Sequence, residues 1–167
     1  MPFATRADLL ARTNARRLAQ LAVPADMGMP PEDALRVAID GGDLTGYTSA
    51  EQTALAAALD AIDTALADAD QVLISAGVPD GTQTSLLARM VSTIALFYLQ
   101  GAERMTAEVQ RAYDGVMDMI KMFKRGELDL VPAPPPGPLD PVVSDDLVQF
   151  ESASRRYGGT SAVIEDW

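Results

Sequence analysis

The chain has 167 residues, enough for one ordinary domain with a buried core, and a formal net charge of −11. That charge argues against wrapping nucleic acid or lying on an anionic membrane, because both need a basic field, and it suits a protein lining a passage through which a polyanion slides without sticking. Cysteine and histidine are absent, which removes disulfides, thiol chemistry, the usual zinc sites and the familiar catalytic triads.

No phosphate-cradling glycine loop is present either, so neither enzymatic activity nor a metal or cofactor is expected. Met1–Asp8 holds no apolar run of signal-peptide length, and the longest apolar region, Leu86–Leu99, is interrupted by Arg89 and is too short to span a bilayer. Synthesis in a cytoplasm-like compartment and no membrane partner are expected.

Thr5 with Asp8 three residues later makes a capping-box start for one or two short helices, supplied with apolar residues by Leu9, Leu10, Leu18, Leu21 and Val23. Thr13-Asn14 favours a break between them. Arg12, Arg16 and Arg17 form a small basic cluster. A solvated helix face accounts for it; the sharper reading is a contact with an acidic surface on a neighbouring subunit or partner.

Pro24–Thr48 is a connection rich in Pro and Gly. It contains a short predicted helix, Pro31–Ile39, with Pro31 in its first turn and Leu35, Val37 and Ile39 partly buried. Asp40-Gly41-Gly42-Asp43 invites a calcium-loop reading. Gly42 and Leu44 stand where ligands are needed and no bidentate acid follows, so a turn is expected.

Thr48 or Ser49, the latter with Gln52, caps a long helix that ends near Ala76, before Gly77 and Pro79. Leu55, Leu59, Ile62, Leu66, Ala69 and Leu73 form a narrow packing seam, with Asp60, Asp63, Asp68 and Asp70 off it. From Ile39 through Ala88 there are acidic residues and no Lys or Arg. This stretch reads as a solvated acidic face, or as a surface turned toward DNA in transit or a basic partner.

Ser85–Gln100 is apolar around most of its circumference. Its polar residues Ser85, Arg89, Ser92, Thr93 and Gln100 share one strip, on which Leu96 also falls. Such a helix belongs at the centre of the domain, with Ile94 and Phe97 buried and Arg89 pairing with an aspartate of the preceding helix or reaching solvent. Gly101 stops it. A further helix runs from about Arg104–Thr106 to Arg125, with Met105, Val109, Ala112, Tyr113, Val116, Ile120 and Phe123 as its apolar stripe and Gly126 just past its end. Its methionines suit core filling and adaptable contact surfaces alike.

Val131–Pro141 carries six of the eleven prolines and reads as a polyproline-type spacer. At about 3.1 Å per residue it reaches roughly 30 Å. Residues 142–167 are polar yet keep Phe150, Tyr157, Ile164 and Trp167, beside Arg155 and Arg156. These are interface-anchor types, so the segment reads as a reaching arm ordered on a partner.

The ordered set of these pieces resembles the adaptor, or neck, proteins of Mu-like tailed bacteriophages. The opening Phe3-Ala4-Thr5-Arg6-Ala7-Asp8-Leu9 is similar to that family's Tyr/Phe-Ala-Thr-x-x-Asp-Leu. Ala15-Arg16-Arg17-Leu18-Ala19-Gln20-Leu21 is similar to its leucine-rich segment, and Leu55–Asp70, with Ile62-Asp63, to its alanine-rich helix. Leu86–Gly101, Glu108–Tyr113 and Lys121–Gly126 match its closing helices. The resemblance covers about residues 3–130; Pro24–Tyr47 is longer than the usual connection, and the arm lies beyond the usual end.

The resemblance implies a small helical bundle in the virion that docks as a ring beneath the portal, touches a neck or tail-completion protein, and joins head to tail around a channel through which DNA passes unread. The expected protein is therefore all-α, with a helical adaptor domain (1–130), a spacer (131–141) and a docking arm (142–167). The competing reading is a soluble helical binding or chaperone-like protein that holds one partner with its arm.

Overall fold

The computed structural model describes residues 1–31, 33–101 and 104–131; the spacer beyond Val131 and the whole of the arm lie outside the described residues. Six helices and no strands occur among those described: α1 Arg6–Arg12, α2 Ala15–Ala22, α3 Ala34–Ile39, α4 Ser49–Ser75, α5 Ser85–Gln100 and α6 Ala107–Lys124. The all-α reading holds, and the bounds of α5 fall where its pattern put them.

Local chemistry sets most helix starts. The Thr5 hydroxyl accepts from the Asp8 N–H while the Asp8 carboxylate accepts from the Thr5 N–H, closing the capping box of α1. Asn14 breaks α1 from α2 and caps the latter, accepting from the Arg17 N–H at 2.7 Å. The start of α4 differs by one residue from the Ser49–Gln52 alternative. Thr48 is the cap and Glu51 its reciprocal partner. Gln52 instead donates to the carbonyls of Leu44 and Tyr47, at 2.9 and 2.8 Å, fastening the preceding turn to the helix.

The helix ends share one device. After α3, α4 and α6 the chain passes through Gly41, Gly77 and Gly126, each with φ between 71° and 101°. In α4 the Gly77 N–H donates to Ile74 O and the Val78 N–H to Leu73 O; in α6 the Gly126 N–H donates to Phe123 O and the Glu127 N–H to Met122 O. These paired bonds are Schellman caps, which require a residue comfortable at positive φ. Gly41 and Gly42 make the same pair of bonds, to Ala38 and Val37. The Asp40–Asp43 stretch is thus a helix stop, as a turn reading requires, and Asp43 turns aside to accept from both the N–H and the hydroxyl of Thr45.

At the centre stands α5, packed against α4, α6, α1 and α2. Leu87, Met90, Val91, Ile94 and Ala95 have no exposure at all. The α4 seam is buried at Leu55, Ile62, Leu66, Ala69 and Leu73 and half-buried at Leu59, and Ala54, Ala58 and Ala65 widen it. Small side chains let neighbouring backbones approach closely, and α4 packs along α5.

Four expectations need correction. The polar strip of α5 is wet only at Ser85 and Arg89 and partly at Thr93: Ser92 is fully buried, its hydroxyl donating to Ala88 O at 2.7 Å, and Gln100 is buried, while Leu86 and Tyr98 are exposed. A hydroxyl that bonds its own helix four residues back needs no water. Phe97 is half-buried rather than central. In the α6 stripe Val116 and Ile120 are buried, but Ala112 is exposed. Asp70 is only 9 % exposed and accepts from the Phe3 N–H at 3.3 Å.

That last contact belongs to an N-terminal strap. Phe3 and Ala4 are buried in the core; the terminal ammonium reaches Asp80 at 3.3 Å, Gln83 donates to Pro2 O, and Arg6 forms a two-point ion pair with Asp63. The opening motif Phe3–Leu9 is therefore a folding device: two of its residues cap α1, and Phe3, Ala4 and Leu9 fill the core.

Candidate interaction surfaces

Arg12, Arg16 and Arg17 are all exposed, the first in the last turn of α1 and the other two in the first turn of α2. Arg12 suits the negative end of its helix. Arg16 and Arg17 do not suit the positive end of theirs, where cations are disfavoured and the first turn holds no acidic residue. Folding brings Arg36 of α3 to Arg16: both line a shallow cleft of about 470 Å³ with Asn14, Ala15 and Asp33. Arg36 was not singled out from the sequence, because α3 approaches α2 only through the long connection between them. Arg104 is tied nearby, its guanidinium donating to Gln20 O at 2.5 Å near the end of α2.

The acidic run resolves into different jobs. Asp60 and Asp68 are exposed along α4, whose 27 residues extend about 40 Å. Asp63 is held below the usual carboxylate range by its hydrogen bonds from Arg6, which outweigh the partial burial opposing them. Asp70 is pushed up by burial, against the hydrogen bond from Phe3 that favours its charged form. Arg89, the one charge on α5, is exposed.

A second cleft, missed from the sequence, opens where α5 ends and α6 begins. Phe97, Tyr98, Gly101, Met105 and Gln110 enclose about 460 Å³. The Phe97 ring stacks on Tyr113 of α6, with centroids 3.9 Å apart and 15° between planes, and Tyr98 stands edge-on to Phe97 at 6.0 Å. The signal available beforehand was the short α5–α6 turn, which makes residues at like distances from it meet across an antiparallel pair. Gln100, buried at that turn, donates to the Arg104 carbonyl and fixes its shape.

The arm residues Phe150, Arg155, Arg156, Tyr157, Ile164 and Trp167 lie outside the described residues. Among the described residues no helix is long and apolar enough to cross a membrane, and no group of three or more acidic side chains is placed to hold a metal ion.

The fold and its surfaces define a small all-α bundle carrying one basic cleft, one aromatic cleft and an acid-bearing long helix. The model of the family described as Bacteriophage Mu, Gp36 matches residues 3–137, and the chain belongs to that bacteriophage family. No curated protein and no solved structure matches it.

Proposed function

We propose that this protein is a head–tail connector of a tailed phage, a virion component that docks as a ring beneath the portal and surrounds the DNA channel. Family membership over residues 3–137 carries the reading. The surface supports it. A closed ring needs two different patches on each copy, one meeting the other on the next copy. Arg12, Arg16, Arg17 and Arg36 on α1–α3 and Asp60 and Asp68 on α4 supply exposed patches of opposite sign on separate elements.

Arg16 and Arg17 also break a local rule, standing at the wrong end of a helix dipole, where each costs a few tenths of a kcal/mol with no intramolecular ion pair recorded for it among the described residues. A partner's acidic surface would offset that cost. A net charge of −11 keeps passing DNA from adhering. The role requires no catalytic residue and no cofactor. In this reading the arm, through Phe150, Arg155, Arg156, Tyr157, Ile164 and Trp167, adds anchors on the portal or on a neck protein.

The test is electron microscopy of the protein mixed with portal rings of a Mu-like phage. The connector reading expects an added ring of density coaxial with the portal. A small complex with a single partner chain would favour the chaperone-like alternative, and the absence of any complex would reject both.

A further inference from the structure

We propose that the aromatic cleft between α5 and α6 is a receptor for the proline run of a neighbouring copy, residues 132–141, bound as a polyproline II helix. The cleft has the chemistry that such a ligand needs. Grooves that take proline-rich segments are lined by aromatic rings set at an angle, with hydrogen-bond donors for the ligand's carbonyls, because proline offers acceptors and no N–H. Here Phe97 and Tyr98 stand 65° apart, and Tyr98 is 38 % exposed. Gly101 leaves the floor open, with nothing within 4 Å of where a Cβ would sit.

Gln110 offers a donor, and the described lining residues carry no charge. It donates one amide hydrogen to Asp114, at 2.9 Å, and among the described residues the other meets no acceptor. The Tyr98 hydroxyl is held protonated by burial first, then by Tyr113, with which it shares a hydrogen bond, and by Asp68.

The occupant is named by the chain itself. The described residues end at Val131, and the proline run begins at the next position. Pro132, Pro135, Pro138 and Pro141 recur at every third residue. A polyproline II helix has three residues per turn, so these four prolines form one continuous ridge. With roughly 30 Å of reach at about 3.1 Å per residue, the run spans to an adjacent copy, and its pre-set backbone loses little entropy on docking. The inference rests on the ring reading only in needing a neighbouring copy.

The test places benzoylphenylalanine at position 105, at the cleft's edge, in the full chain and mixes that protein with isotope-labelled full chain lacking the probe, alone and with portal rings. After irradiation, mixed-isotope cross-links to residues 132–141 are expected, falling severalfold when the labelled chain carries Pro135→Ser and Pro138→Ser. Links confined to one isotope would mean that each cleft takes its own run. Links to residues 142–167 would mean that another segment docks, and no links would mean an empty cleft; each of these overturns the proposal. Portal-bound rings without the cross-link would reject the cleft and leave the ring, whereas cross-linked chains that never join a portal would do the reverse.

Discussion

Two stretches of α5 four residues apart behave differently. Around Ile94 the helix is sunk in the core, with Met90, Val91, Ile94 and Ala95 wholly removed from water. Around Tyr98 the same helix stacks aromatic rings across the α5–α6 turn and leaves them partly uncovered beside an open cleft. The first stretch holds the bundle together. The second is wetter than its composition calls for, and an apolar surface kept open in a small domain is a mark of a contact site. All-round apolar character thus disguises two roles in one helix.

The largest expected effect breaks the first stretch. Ile94→Ala should cost about 2–5 kcal/mol, the range for deleting a fully buried aliphatic side chain, and lower the urea midpoint accordingly. A loss under about 1 kcal/mol would remove α5 from the centre. Phe97→Ala, at the boundary between the stretches, should cost less, about 1–2.5 kcal/mol, because the ring is half-buried and forfeits mainly its stacking on Tyr113. Equal losses for the two variants would erase the distinction drawn between them.

How far the sequence reached follows the same division. Features set by neighbours along the chain were legible: Thr5 with Asp8, the Thr13-Asn14 break, the α4 seam, the α5 bounds, and Gly101 and Gly126 as stops. Features set by distant partners were not. Asp70 is buried by Phe3, 67 residues away, and Arg36 joins Arg16 only through tertiary packing. For α5 the failure has a specific cause. A helix apolar on nearly every side carries no moment that says which side is wet, so self-bonded Ser92 could vanish inside and Tyr98 emerge.

A pH series sharpens the N-terminal strap, which is fastened to α4 through Asp70 and Asp63. Asp70 has its carboxyl raised in the folded protein, so the native state holds its proton more tightly than the unfolded chain does. Its contribution to stability is therefore full below the unfolded value and declines as pH rises through the folded one. Asp70→Asn keeps an acceptor for the Phe3 N–H without that charge. Its stability relative to the parent should rise with pH across this window in urea titrations, and a flat difference would contradict the assignment. Asp63 works in the opposite sense, being lowered by Arg6, with stability present above its unfolded value and lost as pH falls. Both partners are substantially exposed, so Arg6→Met should cost less than about 1 kcal/mol and less still in high salt.

A comparably small effect on stability, about 1 kcal/mol, is expected from Tyr98→Ser, since the ring stands at the edge of the bundle and is already partly in water. The measurement that most directly tests a helix divided between core and contact is electron microscopy of this folded variant with portal rings, beside the parent chain. A folded variant that forms few or no portal-bound rings is the predicted result; rings as numerous and as complete as those of the parent would contradict the account.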